Sequence, residues 1–348
     1  MTTRTRYFVV GSLLTVGVGL GIGVVAYSTG FATSAYTLQG GPEELQFVPA
    51  NASLVAYADV HDLMLSNLRQ RVRQALPGKL DGQGDFQNQT GINIETDIDH
   101  VIAALVPSTG DQAGQRPGAG IVLARGRFDQ VKIEALMREH GARAEDYKGS
   151  RLIVGDMPDG KVDDKVDGKV DGKVSVSVAF LEPGLVAVGT SALVRSAVDQ
   201  KTGGASIATN DEMMGLIRDL ATGNAWAAGH FDALTSQAHL PDGVAQQIPS
   251  INLFSASAHI DSGVRGIIRA QTRDDEAANS LRDVVRGFLA LAKLQTSANP
   301  EIANLVQSLQ LGGTGKSVSL SFDVPGAALD ALQSLHKLGD RSSSAPRQ

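Results

Sequence analysis

From Tyr7 to Tyr27 the chain carries no Asp, Glu, Lys, Arg or His, and Arg4 and Arg6 stand just before this run. A helix needs about 20 mostly apolar residues to cross a hydrocarbon core of roughly 30 Å. The pattern therefore predicts a transmembrane anchor over 7–28 with a short cytoplasmic tip at 1–6. Basic flanks stay on the cytoplasmic side. The expected topology is single-pass in the cytoplasmic (inner) membrane, N-terminus inside, with the bulk of the chain periplasmic or extracellular. The run is longer than the roughly 7–15-residue apolar region of a secretory signal peptide. That favours a signal anchor over a cleaved leader, although Ala32 and Ser34 supply a small-x-small site.

After a spacer at 29–45, short apolar runs alternate with helical periodicity. Ser53–Val60 reads as a strand. Met64, Leu68, Val72 and Leu76 then form one helical stripe, stopped at Pro77-Gly78. Val101–Val106 and Gly120–Gly126 read as strands, and Asp129 caps a helix over Gln130–His140. Arg151–Val154 reads as a short strand. Val174–Leu181 and Leu185–Val188 form a hairpin around Pro183-Gly184, and Thr190 or Ser191 caps a helix over Ala192–Asp199. These elements make a first unit, 46–205, interrupted by a low-complexity loop at 157–173. In that loop Lys161, Lys165 and Lys169 each open a Lys-Val-Asp unit. Its balanced charge and Asp-Gly pairs indicate a solvated turn-rich segment rather than a calcium loop.

The second unit, 206–338, repeats this layout. Asn210 caps a helix, and Ala225–Phe231 matches Leu54–Val60 in character. Asn252–Ile260 turns at Asp261-Ser262-Gly263. A long helix over Asp275–Leu294 carries Leu281, Val284, Val285, Phe288, Leu291 and Ala292 on one face. Pro300 opens another helix, and Val318–Phe322 returns as a strand. Three ordered matches suggest an internal duplication: Ser53 onward with Asn224 onward, Ile121 onward with Gly266 onward, and Val176 onward with Val318 onward. The expected class is α+β: two related β-α-β-β-α-β units, antiparallel sheets, and helices packed on one face. The tail at 339–348, rich in Ser, is expected to be disordered.

Composition narrows the chemistry. The 348 residues carry a net charge of −6 with no basic patch, which argues against nucleic acid as a partner. There is no Cys, so disulfides, thiol catalysis and Cys-zinc sites are excluded. Gly312-Gly313-Thr314-Gly315-Lys316-Ser317 imitates the end of a phosphate loop. It has Gln310 where a Gly is needed and is read with a helix before it and a strand after it, the reverse of the required order, so no nucleotide is expected. Asp97-Ile98-Asp99-His100 is the densest group of metal-ligand types, but as a strand it would split Asp97 and Asp99 from His100 across two faces. The remaining histidines are scattered, no G-x-S-x-G elbow occurs, and Trp226 reads as core. No catalytic residue, metal or cofactor is assigned.

The residues singled out for contact are Gly17, Gly19, Gly21 and Gly23 in the anchor. Gly17/Gly21 and Gly19/Gly23 have the small-xxx-small spacing by which helix backbones approach closely. The expected partners are the lipid bilayer and, through these glycines, a membrane protein or a second copy. A plain tether is the competing reading, since Gly is common in membrane helices.

The stretches "VPANASLVAYADVHDLMLSNLRQRVRQAL" and "TGINIETDIDHVIAALV" resemble uncharacterised bacterial membrane-anchored envelope proteins, over about the first third of the chain. The resemblance implies an extracytoplasmic α+β domain of unknown function and carries no catalytic residues. The leading expectation is a binding or scaffolding protein without catalytic activity. The alternative is a periplasmic carrier or chaperone for a lipid or other apolar ligand.

Overall fold

The structure is a computed structural model. It describes residues 31–32, 42–67, 69, 87–88, 90–107, 119–157, 174–220, 223–235, 251–295 and 306–326. The predicted anchor with its four glycines, most of the low-complexity loop, the start of the helix from Pro300 and the tail lie outside these residues. Among the described residues, no helix is long and apolar enough to cross a membrane.

In chain order the strands are β1 (Phe31–Ala32), β2 (Leu54–Asp59), β3 (Ile98–Val106), β4 (Ala119–Gly126), β5 (Arg143–Tyr147), β6 (Ser150–Met157), β7 (Val174–Glu182), β8 (Leu185–Thr190), β9 (Ala225–His230), β10 (Ile251–Thr272), β11 (Gln310–Gly312) and β12 (Ser317–Pro325). The α-helices are α1 (Val60–Leu65), α2 (Ile94–Asp97), α3 (Gln130–Glu139), α4 (Ser191–Gln200), α5 (Asp211–Arg218), α6 (Phe231–Thr235) and α7 (Asp275–Gln295). The fold is α+β, and every described strand pairing is antiparallel.

The described residues of 42–61 and 87–215 form one compact unit. Those of 31–32, 62–69 and 216–326 form another. Along this part of the chain the division falls after Gly215.

The first unit holds the strand order β2-β3-β4-β8-β7-β6-β5. Val101–Val106 is buried at every position, so β3 is covered on both faces. A sheet with helices on one face alone would instead alternate buried and exposed positions. Ile133 and Met137 of α3, and Leu193, Val194, Ala197 and Val198 of α4, complete the core. The Asp129 carboxylate accepts from Lys132 N at 3.0 Å and so caps α3 as expected. For α4 neither expected residue caps. Thr190 makes no side-chain cap bond, and Ser191 Oγ is engaged with Ser177 Oγ (2.7 Å) and Ser175 O (3.1 Å).

In the second unit the order is β9-β10-β12-β11, with β1 also on β10. Although β10 is one run of strand residues, it is not straight. A Cβ on Gly266 would lie 2.6 Å from Ser257 O and 3.1 Å from the Ala258 Cβ, whereas that much extended chain spans roughly 25 Å. The chain therefore reverses around Asp261-Ser262-Gly263, as the sequence predicts. The first arm pairs with β9 through Ala258, and the second pairs with β12 from Gly263. Asp274 Oδ1 accepts from Ala277 N at 2.8 Å and caps α7.

Candidate functional site: a charge clasp and two pockets

A 3-10 turn at Glu43–Phe47 opens the first unit. It reaches into the stretch read above as spacer. Leu45, Phe47 and Val48 are at most 2% exposed, and Val48 O accepts from Ile207 N at 2.9 Å. Burying these side chains pins the turn and carries Glu44 inward with it, to 5% exposure.

Glu44 meets a row built by sheet register. Asp59 lies opposite His100, and His100 opposite Arg125, so these side chains share one face of the sheet. Arg125 Nε donates to Glu44 Oε1 at 2.7 Å, and His100 Nε2 comes to 3.2 Å from the same oxygen. Arg125 also donates to Glu182 Oε2 at 3.3 Å and to Pro183 O at 3.4 Å. The Tyr57 ring lies 5.5 Å from the His100 ring, centre to centre.

Burial pushes the Glu44 carboxyl up. His100 and then Arg125 outweigh it, holding the group at about 2 against an ordinary value of 4.5. So acidic a group is a poor proton acceptor at neutral pH, and the arrangement works as a clasp rather than a base. A depressed folded-state value stabilises the fold above pH 4.5, and that stability is lost as pH falls through about 2. Denaturant titrations across this window should show the first unit weakening with acid, and Glu44→Gln should flatten the slope. An unchanged slope in the variant would show that the clasp contributes nothing.

The Asp97–His100 group does not converge. Asp97 ends α2 rather than starting a strand. Its carboxylate accepts from Asn93 N at 2.9 Å and pairs with Arg127 at 3.3 Å, while His100 belongs to the clasp. The Asn93 N–H, then Thr96 and Arg127, hold the Asp97 carboxyl below its usual range. Among the described residues no three His, Asp or Glu gather as a metal site would require.

Asp97 and Arg127 instead border a polar pocket of about 550 Å³, with Asp129, Lys132 and Gly91. Lys132 crosses it so closely that a Cβ on Gly91 would lie 1.9 Å from Nζ. A second pocket, about 510 Å³ and of mixed polar and apolar lining, lies on β10 and β12 in the second unit.

The segment Gly312–Ser317 spans the turn between β11 and β12, and the short strand β11 stands between it and the helical residues 306–308. Its Gly315 and Ser317 carbonyls accept from Arg282 at 2.7 and 2.8 Å. Trp226 is 2% exposed within β9.

Sequence reasoning missed Glu44, Arg125 and Glu182. The one available signal was a charged pair, Glu43-Glu44, immediately before the apolar Leu45–Val48.

No family model and no curated protein matches this chain. Among solved structures, crystal form I of TP0453 is similar over 84% of this chain and 98% of its own, at 10% identity and a TM-score of 0.41. At that distance it assigns no function.

Proposed function

We propose that this chain is a membrane-anchored extracytoplasmic binding or scaffolding protein without catalytic activity. The observation that carries the reading is the locked entry segment. A charge-free apolar run and a short spacer lead directly into Glu43–Val48, which is fixed by buried Leu45, Phe47 and Val48 and by the Glu44 clasp. A domain gripped at its first turn suits a body that must stay joined to an anchor. Each pocket described above carries charged side chains in its wall, Asp97, Arg127 and Lys132 in one and Arg265 and Asp323 in the other, which suits recognition of polar partners.

The body arises, in this reading, by duplication of one α+β unit. Support comes from β2 and β9, each of which runs into a helix with no intervening residue, and from Asp129 and Asp274, which cap their helices in the same way. The sheet order β2-β3-β4-β8 parallels β9, the two arms of β10, and β12. This pairs β12 with β8, so the strand Leu185–Thr190 replaces Val176 onward as the counterpart of Val318 onward.

A reporter active only outside the cytoplasm, fused after Gln348, should be active, and the protein should stay in the membrane pellet through an alkaline wash. A stable but inactive fusion overturns the topology. Affinity capture from solubilised membranes, with proteins and lipids both identified, tests the activity class. Stoichiometric lipid without protein would replace scaffold with carrier.

A further inference from the structure

The pocket of about 510 Å³ in the second unit is lined by Ser257, His259, Arg265, Gln310, Ser321 and Asp323, among others. Register explains why these groups meet. Arg265 lies opposite Asp323, Ile267 opposite Ser321, and Ser321 opposite Gln310. The close approach of Gly266 to Ala258 places His259 beside Arg265 and Ser257 beside Ile267. Alternate residues of a strand share a face, so one transverse row reads His259, Arg265, Asp323.

Two features of this row are unusual. Arg265 and Asp323 carry opposite charge, face each other across neighbouring strands and are both exposed, yet no ion pair joins them. Neither is ion-paired to any other described residue. Beside them His259 Nε2 is buried and makes no hydrogen bond. Burial, and then the Arg265 charge, hold the His259 ring below its ordinary value of 6.5, so at neutral pH it offers a neutral hydrogen-bonding atom. A buried polar atom without a partner has lost its water and gained nothing in return, a cost that a ligand atom would recover. Ser257 Oγ donates to Leu220 O at 3.2 Å, leaving its lone pairs to accept.

We propose that this pocket binds a small zwitterion, with its anionic group on Arg265, its ammonium on Asp323 and a polar atom on His259 Nε2. A cation and an anion rooted on facing positions of adjacent strands, whose Cα atoms lie about 5 Å apart, match a ligand that carries both charges better than one that carries either. The inference holds whether or not the chain is anchored in a membrane.

Calorimetric titration of the full chain in detergent micelles, using glycylglycine and phosphoethanolamine as probes, tests it. At least one of the two should give saturable heat. Acetate and ethylammonium, which each carry one charge, should bind at least tenfold more weakly. Arg265→Gln and Asp323→Asn should each weaken binding at least tenfold with an unchanged circular dichroism spectrum. No saturable heat with either zwitterion overturns the proposal. So does acetate binding as tightly as the zwitterion, which would make the pocket a plain anion site. Both comparisons use the wild-type chain and stand even if a variant fails to fold.

Discussion

Arg125→Ala is expected to destabilise the first unit by about 3 kcal/mol, the scale seen when a buried ion pair loses one partner. The reason is asymmetry. Glu44 is 5% exposed and cannot regain water when its partner is removed, so its charge is left with His100 alone. Glu44→Ala should cost less, because Arg125 keeps Glu182 and is itself partly exposed. Denaturation midpoints of the two variants, with amide exchange in β3 and β4 to assign the loss to the first unit, would check the order. A larger cost for Glu44→Ala would mean that the guanidinium and not the carboxylate dominates the desolvation, and equal costs would remove the asymmetry.

The neighbouring position gives a comparably large effect for a different reason. A Cβ on Gly126 would lie 2.0 Å from Asp97 O and 2.9 Å from Ile98 Cα, both backbone atoms of the facing strand and its entry. Neither can rotate away as a side chain could. Gly126→Ala should therefore part β4 from β3 and cost about 3 kcal/mol, at the upper end of overpacking penalties. Gly287→Ala is the matched contrast. It sits within α7 with nothing inside 4 Å of the added carbon, and the better helix propensity should stabilise by up to about 1 kcal/mol. Thermal unfolding of both variants would separate the two outcomes. A Gly126→Ala chain as stable as wild type would mean that the strands are not packed as described.

The elements legible in the sequence are those whose signal is local. Asp129 and Asp274 precede helical stripes, Pro183-Gly184 separates two apolar runs, and Asp261-Ser262-Gly263 breaks a long one. Each of these positions behaves in the structure as its neighbours imply. β5 carries little signal because Arg143–Tyr147 has three charged residues in five and no buried position, so no apolar alternation marks it. α2 is too short for a helical period, and Asp97 was read as strand for that reason. The clasp is the harder case. Glu44, His100, Arg125 and Glu182 are spread over more than a hundred residues, and only sheet register brings them together. A Glu pair at the end of a Gly-rich stretch looks solvated until Phe47 and Val48 are known to drag Glu44 inward.

Met157 and Val174 are direct partners across β6 and β7. Any chain joining them therefore has only one strand spacing to close, and the cost of closure rises with the logarithm of its length, by about 0.6 kcal/mol per doubling. Gaining or losing one four-residue repeat changes the 16 intervening residues by a quarter, which costs only about 0.2 kcal/mol on that scale. Replication slippage at these repeats would thus be almost invisible to folding stability, whereas a single added methyl at Gly126 would not be.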